Sequence, residues 1–574
     1  MVPVTPKGFD ILFALMKANG SVLSKDDLLT AVWPDTFVEE GNLTFNISVL
    51  RKVLGAEGGE AGLIQTVPRR GYRLAVEVSE AGEREVRGNK RAVLACSAAV
   101  VLILGAAFLY SRSQPAGIQS IAILPLRPIG GGTAPEPLAL GLADSIITKL
   151  AGLSHLIVRP TAAIARFEKS GDDPIAAGRA LAVDAVLTGT IQRTPDRVRV
   201  AAQLFSVPDG REIWGDQFDA AARDFFAVED TISERVAIAL RLSLSPTERR
   251  AIAKRYTNDP EAHELYITGL HYWLRWNADG TVAARQYFER AIRKDPDYAL
   301  AYVGLASALG VGSHFGTTTP EEAHRLGRPA VERALQIDPN LAEAHVARAQ
   351  DALFYEWDGA QTMRQFQEAL RLAPNMATTH ALYAAALLAL GRPDLAERER
   401  ALQLEPPSPL FTVGVGWSHF YSRDYHLADK FYEEALKKDA GFPAAYWSLG
   451  ESLEAQRKLP EAIAAFEKAA IMTNRDPRAL AGLGHAEGLA GRKREALTIA
   501  EELQQRARGM YVPAYFLSLV YLGAGDIDSA MSWLERSADQ REDWLVFIHA
   551  HPMFDAVRQN PRYRAVEQRV GLWK

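Results

Sequence analysis

Two neighbouring stretches decide the amino-terminal fold: EEGNLTFNISVLRKVLG, residues 39–55, and IQTVPRRGYRL, residues 64–74. In the first, Leu43, Ile47, Leu50 and Leu54 recur at i, i+4, i+7 and i+11, which makes one apolar stripe on a helix starting near Asn42. The opposite face carries Phe45, Ser48, Val49 and Lys52, flanked by Asn42, Thr44 and Arg51. The second stretch reads as a hairpin, with Gly71 among Arg69, Arg70, Tyr72 and Arg73 giving it a basic tip. Upstream, Thr5 caps a helix with Pro6 at its first position and Gly20 just past its end. Phe9, Leu12, Phe13 and Met16 fall at helical spacing and are expected to face the core. Ser24 and Asp27 form a capping arrangement for a second helix through Trp33, where Pro34 follows.

Three helices and a basic hairpin make a helix-turn-helix with a wing, whose third helix enters the major groove and whose hairpin reaches an adjacent minor groove or the backbone. Double-stranded DNA is therefore the expected partner. Asn42 and Arg51 suit base edges, and Thr44, Ser48 and Lys52 suit phosphate. Phe45 and Val49 are odd on a solvated face but sensible against thymine methyls, and Arg69 and Arg70 are expected at phosphate or in the minor groove. The domain, residues 1–78, resembles the OmpR/PhoB-type winged-helix family over Thr5 to Val76, through TPKGFDILFALMKANGSVLSKDDLLTAVW and the two stretches above. The resemblance implies a recognition helix at Asn42–Leu54 and a wing at Thr66–Leu74. That family opens with a small antiparallel sheet, whereas Met1 to Val4 alone precede the first helix here. Either the reading frame starts upstream or the domain lacks that layer. Residues 1–91 hold 12 basic and 12 acidic side chains, so the basic excess is local to positions 51–73 and predicts modest non-specific affinity.

A charged linker, residues 79–91, leads to a 19-residue stretch without a charge, Ala92 to Tyr110. As a helix it would be about 28 Å long, matching a bilayer core. Arg84, Arg87, Lys90 and Arg91 precede it, which predicts a cytoplasmic amino terminus, an extracytoplasmic remainder and a single-pass inner-membrane location, with the cytoplasmic membrane as a partner. With no receiver domain before the winged helix, this order resembles the ToxR/CadC class of membrane-anchored one-component regulators.

Residues 118–256 alternate strand and helix signals. IQSIAILPL and LIVRP read as strands, LALGLADSIITKLAGL and PIAAGRALAV as helices, and residues 185–219 as strands joined at Pro195-Asp196 and Pro208-Asp209-Gly210. The order predicts an α/β module and resembles the FlgO/TolB-amino-terminal type. From residue 257 the chain repeats: Ala428, Ala462, Ala496 and Ala530 stand 34 apart, with Tyr432, Phe466, Ala500 and Leu534 four residues after them. Small positions at 291, 334, 369, 401, 435, 469, 503 and 537 mark about eight tetratricopeptide units, with a capping helix at the carboxyl end. Such an array stacks into a solenoid with a concave face for a protein or peptide, and Trp417, Tyr421, Tyr446 and Trp447 are candidate contacts there.

The expected fold is thus multidomain: winged helix-turn-helix, one transmembrane helix, α/β module and α-helical tetratricopeptide solenoid. The 574 residues, 48% hydrophobic with a net charge of −5, exclude a mostly disordered chain. One cysteine, Cys96, excludes an intramolecular disulfide and a cysteine-only zinc site. HExxH, Gly-x-Ser-x-Gly and phosphate-loop patterns are missing, so neither enzyme, metal nor cofactor is expected. The expected function is a membrane-anchored transcription regulator whose heads respond to a partner, or to homodimer pairing, at the outer region. The alternative is an envelope repeat scaffold with a vestigial winged helix.

Overall fold

The computed structural model describes residues 6–33, 40–54, 63–68, 70–76 and 118–573, apart from short stretches at 130–135, 154, 165–166, 168–172, 195, 222–224, 241–243, 276, 393–394 and 407. The chain divides into two units, Met1–Gln114 and Pro115–Lys574.

In the first unit, α1 (Pro6–Lys17), α2 (Lys25–Val32) and α3 (Glu40–Leu54) precede a hairpin of β1 (Ile64–Val67) and β2 (Gly71–Leu74). The strands pair antiparallel from Ile64 opposite Leu74 to Val67 opposite Gly71. The capping box at Ser24 forms as expected, with the Ser24 side chain accepting from the Asp27 N–H. The α3 helix begins at Glu40, slightly before the expected Asn42, and its stripe is buried at Leu43, Ile47 and Leu50. The expectation for α1 needs correction. Ile11 and Leu15 fill the core, whereas Phe9 and Phe13 are 61% and 59% exposed and stack on each other at 6.5 Å, with Met16 also exposed. The α1 sequence offers two apolar registers with the same i, i+4 spacing, and periodicity alone does not choose between them. Gly71 is required where it stands. Its φ is +136°, and a Cβ would collide with the Leu23 carbonyl, which accepts from the Tyr72 N–H at 2.9 Å. That bridge ties the segment before α2 to the hairpin.

The expected span at 92–110 is also corrected. Among the described residues no helix is long and apolar enough to cross a membrane, and 92–110 itself lies outside them. A long uncharged run meets the length requirement for a span without showing that a helix forms there. The transmembrane element and the inner-membrane location built on it are not retained.

In the second unit, β3 (Ser120–Ile123), β4 (Arg127–Pro128), α4 (Glu136–Ala151), β5 (Ile157–Val158), α5 (Thr161–Ile164), α6 (Pro174–Ala180), β6 (Ala185–Arg193), β7 (Arg197–Ser206), β8 (Glu212–Ala221), α7 (Phe225–Ala239) and α8 (Pro246–Ile252) form the α/β module. The sheet runs β5-β3-β6-β7-β8, with β3 parallel to β5 and β6 and the last three strands antiparallel; β4 also pairs with β6. All of β3 and the first five residues of β6 are buried, so both sheet faces are covered there.

Eight helix pairs follow among the described residues: α9/α10 (Pro260–Trp273, Ala278–Lys294), α11/α12 (Ala299–His314, Pro320–Ile337), α13/α14 (Ala342–Asp351, Gly359–Leu372), α15/α16 (Ala377–Ala389, Leu395–Leu404), α17/α18 (Pro409–Tyr421, Tyr425–Lys438), α19/α20 (Pro443–Ala455, Leu459–Met472), α21/α22 (Pro477–Leu489, Lys493–Arg506) and α23/α24 (Ala514–Gly523, Ile527–Asp539). The 34-residue step has the expected cause. Ala428, Ala462, Ala496 and Ala530 are fully buried where helices touch, and Tyr432, Phe466 and Leu534 fill the gaps. The fillers seat against bare backbone: a Cβ on Gly450 would stand 2.8 Å from the Phe466 ring, and one on Gly416 would overlap Tyr432. The chain ends in 3-10 turns at Asp543–Phe547 and Pro552–Val557 and in α25 (Pro561–Val570).

Candidate nucleic-acid interface and repeat groove

On α3 the core face fixes the outward face. Asn42, Thr44, Phe45 and Ser48 are exposed, Phe45 by 66%, and Val49 is half-buried. The Asn46 amide donates to the Asn42 carbonyl at 2.9 Å, so Asn46 braces the start of the helix. Arg51 is half-buried. Its Nε donates to the Ile64 carbonyl at 3.0 Å and its Nη2 to the Thr66 hydroxyl at 2.7 Å, locking β1 against α3. This is a bracing role that helical spacing alone did not indicate. Arg70 is exposed at the hairpin tip, its N–H bonded to the Val67 carbonyl. Arg73 is exposed on β2 with its guanidinium on the Gln65 side-chain oxygen at 2.9 Å. Arg69 and the Lys52 side chain lie outside the described residues.

The repeat groove differs from expectation. The segment from Arg541 to Asp555 returns across the first helices of several pairs. Asp543 accepts from the Ser313 hydroxyl at 2.7 Å, 230 residues earlier. Trp544 packs edge-on to Trp447 and beside His314 and Phe516, with the Arg478 guanidinium 5.4 Å from its ring. Phe547 and His551 meet Tyr421, His551 bonds to Glu451 at 3.1 Å, and Arg541 donates to the Tyr355 carbonyl at 2.7 Å. Leu545, Val546, Ile548 and Phe554 are fully buried. Tyr421 and Trp447, expected to meet a partner, thus hold the chain's own carboxyl-terminal segment. Trp417 donates to the Ser448 hydroxyl at 2.8 Å, and Tyr446 lies under the Lys468 ammonium at 4.3 Å.

Two polar clusters stand elsewhere in this unit. Where α4 packs on α9, the Ser145 hydroxyl meets His263 Nε2 at 3.1 Å, and Glu229 lies 3.9 Å from the same nitrogen with Oε1 unpartnered. Burial pushes the Asp144 carboxyl up to about 6 and Glu229 up to about 8, and pulls His263 down to about 4. Further on, His324, Asp351 and Glu356 converge, but Arg348 pairs with Asp351 at 3.5 Å and with Glu356 at 2.8 Å, and Arg328 also pairs with Glu356. Two guanidinium groups already balance the carboxylates, so this is an ion-pair network.

Residues 1–74 match the family described as "Transcriptional regulatory protein, C terminal", and residues 416–477 match a tetratricopeptide repeat. The chain is 40% identical over 72 residues to transcriptional regulator HilA of Salmonella typhimurium, covering 12% of this chain and 13% of that protein. It is 38% identical over 81 residues to transcriptional activator CadC of Escherichia coli, 14% of this chain and 16% of that one. A third similarity, 28% over 253 residues, is to a putative adenylate cyclase 3 of Rhizobium meliloti, 44% of this chain and 41% of that protein. The chain thus spans less than half the length of these curated relatives. Among solved structures, the type IV pilus biogenesis factor PilW matches at 20% identity with a TM-score of 0.31, covering 37% of this chain and 94% of its own. Residues 1–74 therefore form an OmpR/PhoB-type winged-helix domain, homologous to those of HilA and CadC, in a chain that also carries tetratricopeptide repeats.

Proposed function

We propose that this chain is a transcription regulator whose winged helix reads double-stranded DNA under the control of its α/β and repeat region. The observation that carries the reading is the outward face of α3, where Asn42, Thr44, Phe45 and Ser48 stand exposed beside a hairpin presenting Arg70. In this reading α3 lies in the major groove. Asn42 bonds a base edge, Phe45 and Val49 cover thymine methyls, and Thr44, Ser48 and Lys52 hold phosphate. Arg69 and Arg70 reach the backbone or minor groove. Arg51 sets the angle between helix and wing, with its Nη1 left for DNA. The repeat region receives a protein, a peptide or a second copy of the chain. Pairing two weak readers raises occupancy through effective concentration without a new DNA contact. The resemblance to a protein named as a putative cyclase does not make this chain an enzyme; the regulators share its amino-terminal domain and supply the reading.

Fluorescence anisotropy of the full chain on fragments of its own genomic DNA tests this. Sequence-selective binding that falls with salt and is lost in a Phe45→Glu, Ser48→Glu double variant is expected. Equal binding by the double variant and the native chain would remove α3 from the interface.

A further inference from the structure

Each repeat places one side chain in the slot three residues before its second-helix small position. Seven of the eight pairs hold an apolar side chain there: Phe288, Val331, Phe366, Tyr432, Phe466, Ala500 and Leu534. The fourth pair holds Arg398, which is 4% exposed. The slot is the same one by geometry. In three of the pairs a glycine sixteen residues on faces the filler: Gly304 against Phe288, Gly482 against Phe466, and Gly414 against Arg398, whose Nη1 would stand 3.1 Å from a Cβ there. Nη1 has one acceptor, the Ala381 carbonyl at 3.2 Å. Nε and Nη2, the two donors on the side-on edge of the guanidinium, have no hydrogen-bond partner among the described residues. The Trp417 ring lies 5.9 Å from the guanidinium carbon, and the hydroxyl of fully buried Tyr432 is also unpartnered.

Burial draws the Arg398 guanidinium down to about 10; the nearby groups that favour its charge are the Tyr421 and Tyr432 hydroxyls, and no carboxylate is among them. Leaving an ion buried and unpaired is among the costliest arrangements a core tolerates, whereas the apolar fillers of the sister repeats would occupy the slot without that cost. The unpartnered edge has the geometry of two parallel N–H donors, which matches a planar two-oxygen anion in bidentate fashion. We propose that Arg398 is the anchor of a carboxylate-binding site inside the fourth repeat, with Trp417 covering the guanidinium and Tyr432 offering a further donor.

The carboxylate comes from a small free acid or from a peptide end, and the test separates the two. The full chain is melted in sodium acetate and in sodium chloride of equal ionic strength. It is then titrated with acetyl-tetraalanine as the free acid and as the amide. The native chain is expected to gain a saturable rise in midpoint in acetate over chloride. Arg398→Leu, which copies the filler of the eighth pair, is expected to melt no lower than the native chain in chloride and to show no acetate gain. Arg398→Lys, which keeps the charge and loses the fork, is expected to bind acetate at least tenfold more weakly. Tighter binding of the peptide acid than of acetate, with no binding of the amide, assigns the site to a peptide terminus; acetate binding alone assigns it to a small acid. Equal midpoints in acetate and chloride for the native chain overturn the proposal. So does an acetate gain retained in Arg398→Leu, or a fall of several degrees in that variant in chloride, which would make Arg398 a purely structural residue.

Discussion

Arg51 and Arg70 are both arginines near the proposed DNA surface, yet their surroundings separate them. Arg51 donates to a carbonyl and a hydroxyl of β1. Arg51→Ala is expected to cost about 1–3 kcal/mol through two lost charge-assisted bonds, seen as a lower melting midpoint of the amino-terminal unit. Arg70 is exposed. Arg70→Ala is expected to leave the midpoint nearly unchanged, weaken DNA binding across sequences and lower the salt slope by about one, measured by anisotropy from 50 to 200 mM salt. A similar contrast holds on α1. Leu15→Ala is expected to cost roughly 2–5 kcal/mol as a core truncation, and Phe13→Ser under about 1 kcal/mol, since its ring is more than half exposed. Reversed values in chemical denaturation would show that the Phe9 and Phe13 face is covered in solution.

At the scale of elements, the repeats were legible because one physical requirement recurs locally: a small residue where two helices touch and a bulky one in the next gap. The α3 stripe was legible for the same reason, since Leu43, Ile47 and Leu50 at helical spacing all found the core, the side chain of the fourth, Leu54, lying outside the described residues. The α1 face was not, because Phe9/Phe13 and Ile11/Leu15 share one spacing and differ only in what covers them. Arg398 was visible as a charge at a filler position, but only an alignment of the pairs to each other exposes it. Helix backbones also approach closely at Gly523, where a Cβ would stand 2.3 Å from the His485 carbonyl oxygen on the neighbouring α21. Gly523→Ala is expected to destabilise the array by about 1–3 kcal/mol or more, because backbone yields less readily than a side chain. The joint between α4 and α9 carries its own prediction. Glu229 takes up its proton near pH 8 when folded and near 4.5 in an unfolded chain, so the folded state holds the extra proton between those values. Stability from this group therefore falls as pH rises from about 4.5 to 8. His263 acts oppositely, losing stability as pH drops below 6.5 toward 4. Glu229→Gln is expected to raise the melting midpoint at pH 8 by several degrees more than at pH 6; an equal shift at both would refute the assignment.

On the scale of the whole Pro115–Lys574 unit, what sequence did not disclose is the return of the tail. Its partners lie far away along the chain, as with Ser313 and Asp543 or Tyr355 and Arg541, so no local pattern records them. The tail's apolar residues join one core with side chains from Val346 to Leu572. Trp544→Ala is expected to destabilise by roughly 3–5 kcal/mol and to speed hydrogen exchange in α11 and α21 together, although 162 residues separate those helices. Faster exchange confined to the last pair would show that the tail is only a local cap.

An open solenoid can gain or lose a unit and still fold, since each unit needs only its neighbours. Here the tail must land on particular side chains of the second, third, fifth and sixth pairs at once. Duplicating one unit in the interior would carry Asp543 and Trp544 past Ser313 and His314, leaving both ends of the clasp without a mate. The number of repeats in this chain is thereby tied to the position of its tail, whereas a single side chain, such as the odd arginine of the fourth unit, can change without moving that clasp.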